Sequence, residues 1–163
     1  MDELLAIQVN LVKKFPQLVG KTRTPRVRRI FADVAIQDLG VIFDYVVKDL
    51  RFSILCTITG LDQGNKLGVI YHLARESGVT LNLCSAVPKD DPTLQTVTGY
   101  FPAAELYERE MADLLGMKVQ GLPQGPRYPL PDDWPQGQYP LRKDWKPTPS
   151  QADPAGQGEQ NHA

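Results

Sequence analysis

Cysteine, histidine and long apolar runs are all scarce in this sequence. Its 163 residues include two cysteines, Cys56 and Cys84, and two histidines, His72 and His162. Two cysteines argue against a disulfide scaffold and against a zinc or iron–sulfur site. The histidines lie far apart in the sequence, which disfavours a catalytic or metal-binding pair. The sequence therefore predicts no catalytic, cofactor or metal site in this chain.

Membrane-spanning and strongly charged segments are also missing. No apolar run approaches the ~20 residues that a membrane-spanning helix needs. The first residues, Met1-Asp2-Glu3, are acidic, unlike the start of a secretory signal peptide. The formal net charge is −1 and 42% of the residues are hydrophobic, as in an ordinary globular domain. We expect any link to a membrane to run through partner proteins.

The spacing of apolar residues predicts three helices and four strands. Helical periodicity covers about 2–14, a segment after Asp38, and a segment from residue 101 to Gly116. Two-residue alternation predicts strands, which lie around Ile30–Ile36, Phe52–Ile58, Leu67–Leu73 and Val79–Leu83. Because helices and strands do not alternate regularly, we expect an α+β fold. Its sheet should be mixed or antiparallel, with four strands and the helices packed on one face.

The composition changes after residue 121. Eight prolines lie between Pro123 and Pro149, which excludes a regular helix or an interior strand. Large apolar side chains occur among these prolines, and we expect them to be buried against another protein surface. We therefore divide the chain into an α+β domain (1–121), an extended docking arm (122–147, hereafter the arm) and a disordered tail (148–163).

Two charged groupings permit more than one interpretation. The run from Lys21 to Arg29 carries five basic residues, which would suit an anion or nucleic-acid site. The neutral chain and the lack of aromatics in the run favour a solvated loop and strand edge, without nucleic acid. The second grouping comprises the carboxylates Glu108, Glu110, Asp113, Asp132, Asp133 and Asp144. It would suit acid–base chemistry or a hard metal ion, but the interleaved basic residues favour ion pairing: Arg109, Arg127, Arg142 and Lys143.

The segment from Tyr107 to Trp145 resembles the signature of the 30-kDa subunit family of NADH:quinone oxidoreductase. Its first part, YEREMADLLGMKVQGLP, follows the pattern of E-R-E, two residues, D, a hydrophobic pair, G, and a spacer to G-x-P. The matching positions are Glu108, Arg109, Glu110, Asp113, Leu114, Leu115, Gly116, Gly121 and Pro123. The second part, RYPLPDDWPQGQYPLRKDW, matches the family's closing P-L-R-K-D pattern. Leu122 replaces a usual histidine, and the whole is most like the version in energy-converting, membrane-bound nickel–iron hydrogenases.

The resemblance implies a structural subunit on the cytoplasmic side of the cell membrane, held there by partners. Those partners would be a hydrogenase-like large subunit, an iron–sulfur small subunit and membrane ion-translocating subunits, with iron–sulfur clusters and a nickel–iron centre lying in the partners. The signature residues would be structural and the arm would dock on the large subunit. The expected docking residues are Arg127, Tyr128, Trp134, Tyr139, Arg142, Lys143 and Trp145. The alternatives are the corresponding subunit of a quinone-reducing complex and a stand-alone carboxylate enzyme.

The signature also predicts a local ion-pair arrangement. Glu105 lies one helical turn before Arg109, and Asp113 lies one turn after it. Because residues four apart are neighbours on a helix surface, we expect Arg109 to pair with both carboxylates.

Overall fold

A computed structural model describes residues 3–147 as three α-helices, two short 3-10 turns and seven strands. The α-helices are α1 (Glu3–Lys14), α2 (Leu39–Lys48) and α3 (Ala104–Leu115). The strands are β1 (Thr22–Arg26), β2 (Arg29–Asp33), β3 (Ile54–Asp62), β4 (Lys66–Ala74), β5 (Thr80–Pro88), β6 (Thr93–Gln95) and β7 (Lys118–Gln120). This arrangement confirms the expected α+β class.

The main sheet has five strands in the order β1-β2-β5-β4-β3. Strands β2 and β5 are parallel, and the other neighbours are antiparallel. A separate pair, β6 and β7, is parallel. The sheet is therefore mixed, as expected, but it has five strands rather than four.

The additional strand is β1, which lies inside the basic run. Its residues are almost entirely exposed, so no apolar alternation marks it in the sequence. It is an edge strand, paired with β2 alone. Pro25 lies within β1. Proline has no backbone N–H to donate to a neighbouring strand, and this is tolerated in an edge strand, which pairs on one side only.

One face of the sheet packs against helices α2 and α3. Tyr71 of β4 is fully buried and contacts Phe43 of α2 edge-to-face, with the two ring centroids 5.4 Å apart. Its neighbour across the ladder is Ile58 of β3. Two residues further along β3, a Cβ on Gly60 would lie 2.5 Å from the side chain of Leu115 in α3. The glycine thus lets α3 approach β3 closely.

Several expected boundaries differ from the structure or lie beyond it; the strand expected around Phe52–Ile58, for example, is Ile54–Asp62. Helix α3 begins at Ala104 rather than residue 101, because a turn precedes it in which the carbonyl of Phe101 accepts the N–H of Ala104. The expected tail at 148–163 lies outside the described residues. No helix within residues 3–147 has the length and apolarity to cross a bilayer.

Candidate docking site on the third helix and the arm

Helix α3 is fixed to the rest of the domain by a buried carboxylate. Glu108 is only 1% exposed. Its Oε1 accepts the backbone N–H of Val97 at 2.7 Å, and its Oε2 accepts the hydroxyl of Thr96 at 2.5 Å. Burial raises the pKa of the Glu108 carboxyl, and the two hydrogen bonds oppose that shift. Glu108 therefore joins α3 to the segment that follows β6.

Arg109 joins α3 to the first part of the arm. It pairs with Glu105 one turn earlier at 2.7 Å, as expected. Its Nη2 also donates to the carbonyl of Pro123 at 2.6 Å, and its Nη1 donates to that of Pro126 at 3.3 Å. The guanidinium lies against Gly125, where a Cβ would collide with it.

Asp113 does not pair with Arg109, as the helical spacing had suggested. Its Oδ1 instead accepts Nε of Arg127 at 2.5 Å, and its Oδ2 accepts the backbone N–H of Leu130 at 2.9 Å. Arg127 also donates to the carbonyl of Trp134 at 2.7 Å. The Asp113 side chain is 9% exposed, so this pair is a largely buried anchor for the middle of the arm.

The end of α3 holds the last part of the arm. Gly116 ends the helix at φ 70°, a conformation that glycine adopts without a Cβ penalty. A Cβ there would lie 2.5 Å from the ring of Tyr139. Arg142 stacks on that ring and donates Nε to the carbonyl of Leu115 at 2.7 Å. Arg142 thus supplies a partner for a carbonyl that the helix end would leave unpaired.

Two tryptophans of the arm pack on each other. The ring centroids of Trp134 and Trp145 are 6.1 Å apart. Both indoles bond to Gln138: Trp134 donates to its backbone carbonyl and Trp145 to its side-chain oxygen, each at 2.9 Å. Both rings are only half-buried. The arm therefore has a small internal cluster of its own in addition to its contacts with α3.

A further anchor lies at the end of β3. Oδ2 of Asp62 accepts hydrogen bonds from the ammonium group of Lys89 at 2.8 Å and from the backbone N–H of Lys143 at 2.9 Å. Hydrogen bonding to Lys89, and then to Gly64 and Lys143, holds the pKa of Asp62 well below its usual range. Lys89 also reaches Asp144 of the arm at 2.9 Å. The side chain of Lys143 itself has no hydrogen bond or ion pair within residues 3–147.

The remaining signature residues differ in their surroundings. Gly121 lies at φ 80°, where a Cβ would come within 3.0 Å of the methyl group of Thr96. Glu110 is half-buried, and within residues 3–147 it has no hydrogen-bond or ion-pair partner. Exposed apolar groups beside it and along the arm include Leu141 and Tyr128.

The carboxylates singled out in the sequence do not converge. Glu108 bonds to the segment after β6, Asp113 to Arg127, and Asp144 to Lys89. Within residues 3–147 no group of three or more histidine, cysteine or acidic side chains could hold a metal ion. Of the ion pairs expected for these carboxylates, the described residues show Asp113 with Arg127. Asp144 pairs with Lys89 instead, and Glu108 is held by a hydroxyl and a backbone N–H.

The comparison with known families agrees with the signature. A model of the family "Respiratory-chain NADH dehydrogenase, 30 Kd subunit" matches residues 32–151. The chain belongs to this family. The match spans most of the main sheet, all of α3 and the whole arm, so the expected resemblance is confirmed.

Two relatives and one solved structure match this chain along most of their length. Membrane-bound hydrogenase subunit beta of Pyrococcus furiosus is 37% identical over 93% of this chain and 91% of its own. A subunit of the F(420)H(2) dehydrogenase of Methanosarcina mazei is 32% identical over 92% of this chain and 96% of its own. One protein in the structure of an archaeal membrane-bound sulfane sulfur reductase superposes with a TM-score of 0.79. That protein is 25% identical, and the match covers 89% of this chain and 86% of the other.

The sequence indicated ion pairing between the carboxylates and basic residues that include Arg127 and Arg142, but the arm as a whole was expected to dock on a partner protein. The expected docking residues Arg127 and Arg142 direct their polar atoms to Asp113 and Leu115 of the same chain. One available signal was the complementary charge: α3 has acidic residues on several faces, and the arm has isolated arginines. Spacing alone could not assign partners, because Asp113 had a suitable arginine in its own helix.

The pKa of Glu108 gives a testable pH dependence. Since burial raises that pKa above its ordinary value of 4.5, the folded chain binds this proton more tightly than the unfolded chain. The resulting stabilisation is fully present below the ordinary pKa and is lost as pH rises through the raised value. We expect Glu108→Gln to remove this contribution, so its free energy of unfolding should fall less than the wild type's from pH 4.5 to pH 7.

Urea unfolding at several pH values measures this difference. The glutamine can still accept from Val97 and can donate to Thr96, so the fold should persist. Glu108→Ala is the contrasting variant, because it leaves a buried N–H unpaired at a cost of about 1–3 kcal/mol. Identical pH profiles for the wild type and Glu108→Gln would contradict the assignment.

Removing Arg127 should destabilise the folded chain. Arg127→Ala leaves the largely buried Asp113 without its cation, and we expect a loss of about 2 kcal/mol in the free energy of unfolding. The exposed pair Arg23–Asp33 offers a matched control, since Arg23→Ala should cost only about 0.2–1 kcal/mol. Adding Asp113→Asn to Arg127→Ala should recover part of the loss. Equal losses for the two single variants, measured by urea unfolding, would show that the arm's anchor is no stronger than an exposed ion pair.

Proposed function

We propose that this chain is a structural subunit, without a redox centre, of a membrane-bound, ion-translocating oxidoreductase of the hydrogenase type. It would lie in the peripheral part of the complex, on the cytoplasmic side, and dock on the catalytic large subunit. The observation that carries this proposal is the nearly full-length similarity to membrane-bound hydrogenase subunit beta. The fold match to a protein of the membrane-bound sulfane sulfur reductase supports membership of the same class of complex.

The arm is the proposed docking element, through the side chains that its own domain does not use. Tyr128 and Leu141 are exposed, the Lys143 side chain is unpaired within residues 3–147, and Trp134 and Trp145 are half-buried. Aromatic residues contribute strongly to protein interfaces. Three other residues of the arm would contribute indirectly, because they fix it on α3: Arg127, Tyr139 and Arg142. An iron–sulfur small subunit and the membrane subunits would then be reached through the large subunit.

A dehydrogenase complex is the second candidate. The similarity to the F(420)H(2) dehydrogenase subunit, at 32% identity over 96% of that relative, favours it. Both candidates share the structural role of this chain and differ in the large subunit. If the large subunit that co-purifies has nickel-binding cysteine pairs, the complex is a hydrogenase; without them it is a dehydrogenase or quinone reductase.

We expect the isolated chain to have no visible chromophore and no redox activity. Flavin, haem and iron–sulfur centres each require a binding pattern that the sequence lacks. Absorption spectroscopy and metal analysis of protein purified from the source organism would test this. Stoichiometric iron or flavin in the isolated chain would overturn the proposed role.

Docking through the arm is best tested by single substitutions. A deletion after Gly121 would also remove Arg127 and Arg142 from the domain, and so would change stability together with docking. Leu141→Asp places a charge on a side chain that lies beside α3 and is 55% exposed. Val41→Asp is the matched control, because Val41 is 60% exposed on α2, away from the arm.

Tagged variants should be expressed in the source organism and isolated from detergent-solubilised membranes. We expect the wild type and Val41→Asp to co-purify with a hydrogenase-like large subunit, and Leu141→Asp to lose most of it. Thermal unfolding of each purified variant checks that both still fold. Equal recovery of the large subunit with Leu141→Asp would refute docking through this part of the arm.

A further inference from the structure

One end of the main sheet carries a concentration of arginine side chains. The tight turn between β1 and β2 brings Arg26 opposite Arg29. Arg29 in turn lies beside Thr80, where β5 begins, and Thr80 lies opposite Ala74, where β4 ends. Ala74 is also paired with Ile54, the first residue of β3. The starts of β2, β5 and β3 and the end of β4 therefore meet at this end of the sheet.

Contacts at this end bring three of the arginines, Arg28, Arg51 and Arg75, around the β4–β5 turn. The backbone carbonyl of Arg28 accepts the N–H of Thr80 at 2.8 Å. A Cβ on Gly78 would lie 3.3 Å from Nη1 of Arg28, so the guanidinium lies against the β4–β5 turn. Arg51 and Arg75 line a shallow hollow next to the same turn. We call the surface formed by these side chains the basic end; its members are Arg26, Arg28, Arg29, Arg51 and Arg75.

Positive charge exceeds negative charge at the basic end, where five arginines lie near two acidic residues, Glu3 and Glu76. Arg75 lies 3.6 Å from Glu3. The other four arginines have no hydrogen-bond or ion-pair partner for their side chains in the described part of the chain. Glu76 is the second acidic residue of this region, and it is exposed without forming an ion pair there. Like charges held close together repel, so the excess of positive charge costs free energy in the isolated chain.

We propose that the basic end is a second interaction surface, which binds an acidic surface of a partner protein. The guanidinium group presents a planar fork of donors that fits carboxylates in pairs, and arginine is enriched in protein interfaces. Val27, at the tip of the turn, is 86% exposed between Arg26 and Arg28, which adds an apolar contact to the charged ones. This surface is separate from the arm, whose contacts are with α3 and β3.

A protein partner fits these observations better than a nucleic acid or a lipid surface. The whole chain carries a formal charge of −1, so a long polyanion would meet repulsion beyond this patch. The aromatic ring beneath Arg75 belongs to Phe52, which is fully buried and so cannot serve as a base-stacking platform. The patch lies on turns rather than on a basic amphipathic helix, which is the usual membrane-surface element.

Charge reversal at the turn tests the proposal on the full chain. Arg26→Glu combined with Arg28→Glu should lower recovery of the contacted protein about tenfold or more at physiological salt, because close charge pairs are replaced by like-charge contacts. Lys13→Glu combined with Lys66→Glu is the matched control, since both lysines are exposed and lie outside the basic end. The altered arginine side chains have no partners within residues 3–147, so the melting temperature should not fall.

A photo-reactive amino acid in place of Val27 identifies what this surface touches in the isolated membranes. We expect a cross-link to a segment of another protein that is rich in aspartate and glutamate. Cross-links to lipid or nucleic acid, no cross-link, or equal recovery with the two charge-reversed variants would each overturn the proposal. The proposed function is tested separately, by whether the wild-type chain is recovered as part of a membrane oxidoreductase. The Val27 cross-link tests only the basic end, because it can be identified in whichever complex contains the chain.

Discussion

The pairing of Asp113 with Arg127 holds the middle of the arm against α3. The arm contains too many prolines for its backbone groups to pair with one another in a regular hydrogen-bond ladder. Its position therefore depends on hydrogen-bond partners outside the arm. Asp113 provides two of them, by accepting the Arg127 guanidinium and the backbone N–H of Leu130. Arg127 extends the connection to the carbonyl of Trp134. One carboxylate on α3 thus fixes three separate points of the arm.

The polar residues of the family signature contact different parts of the chain, according to the side of α3 on which they lie. Glu108 faces the domain and binds the segment after β6, whereas Arg109 and Asp113 face the arm. Gly116 completes the helix and leaves room for the ring of Tyr139. These contacts explain part of the signature, because four of its residues each make a specific hydrogen bond or close approach: Glu108, Arg109, Asp113 and Gly116. Glu110 differs, because residues 3–147 provide it with no polar partner.

The sequence predicted those elements whose side chains alternate between a buried and an exposed face. Strands β4 and β5 place Leu73 and Leu81 in the core. The two-residue alternation of their apolar side chains predicted both strands. The segment of β1 was predicted only as a solvated loop and strand edge and was not counted as a strand. It contributes hydrogen bonds to the sheet edge but almost no apolar burial, so no alternation marks it. The partners of the signature residues were harder to predict. The pair Arg109–Glu105 follows from helical geometry, but the pair Asp113–Arg127 depends on how the arm folds back, which residue spacing does not encode.

The self-packing of the arm also changes the energetics of the proposed docking. An extended segment that orders only on binding loses conformational entropy at that step, and this loss reduces affinity. Here the anchors at Asp113, Asp62 and the end of α3 order the arm on its own domain. The entropy is then lost during folding, and the half-buried Trp134 and Trp145 are held in place before a partner arrives. Weakening an anchor should therefore reduce docking even where the substituted residue never touches the partner.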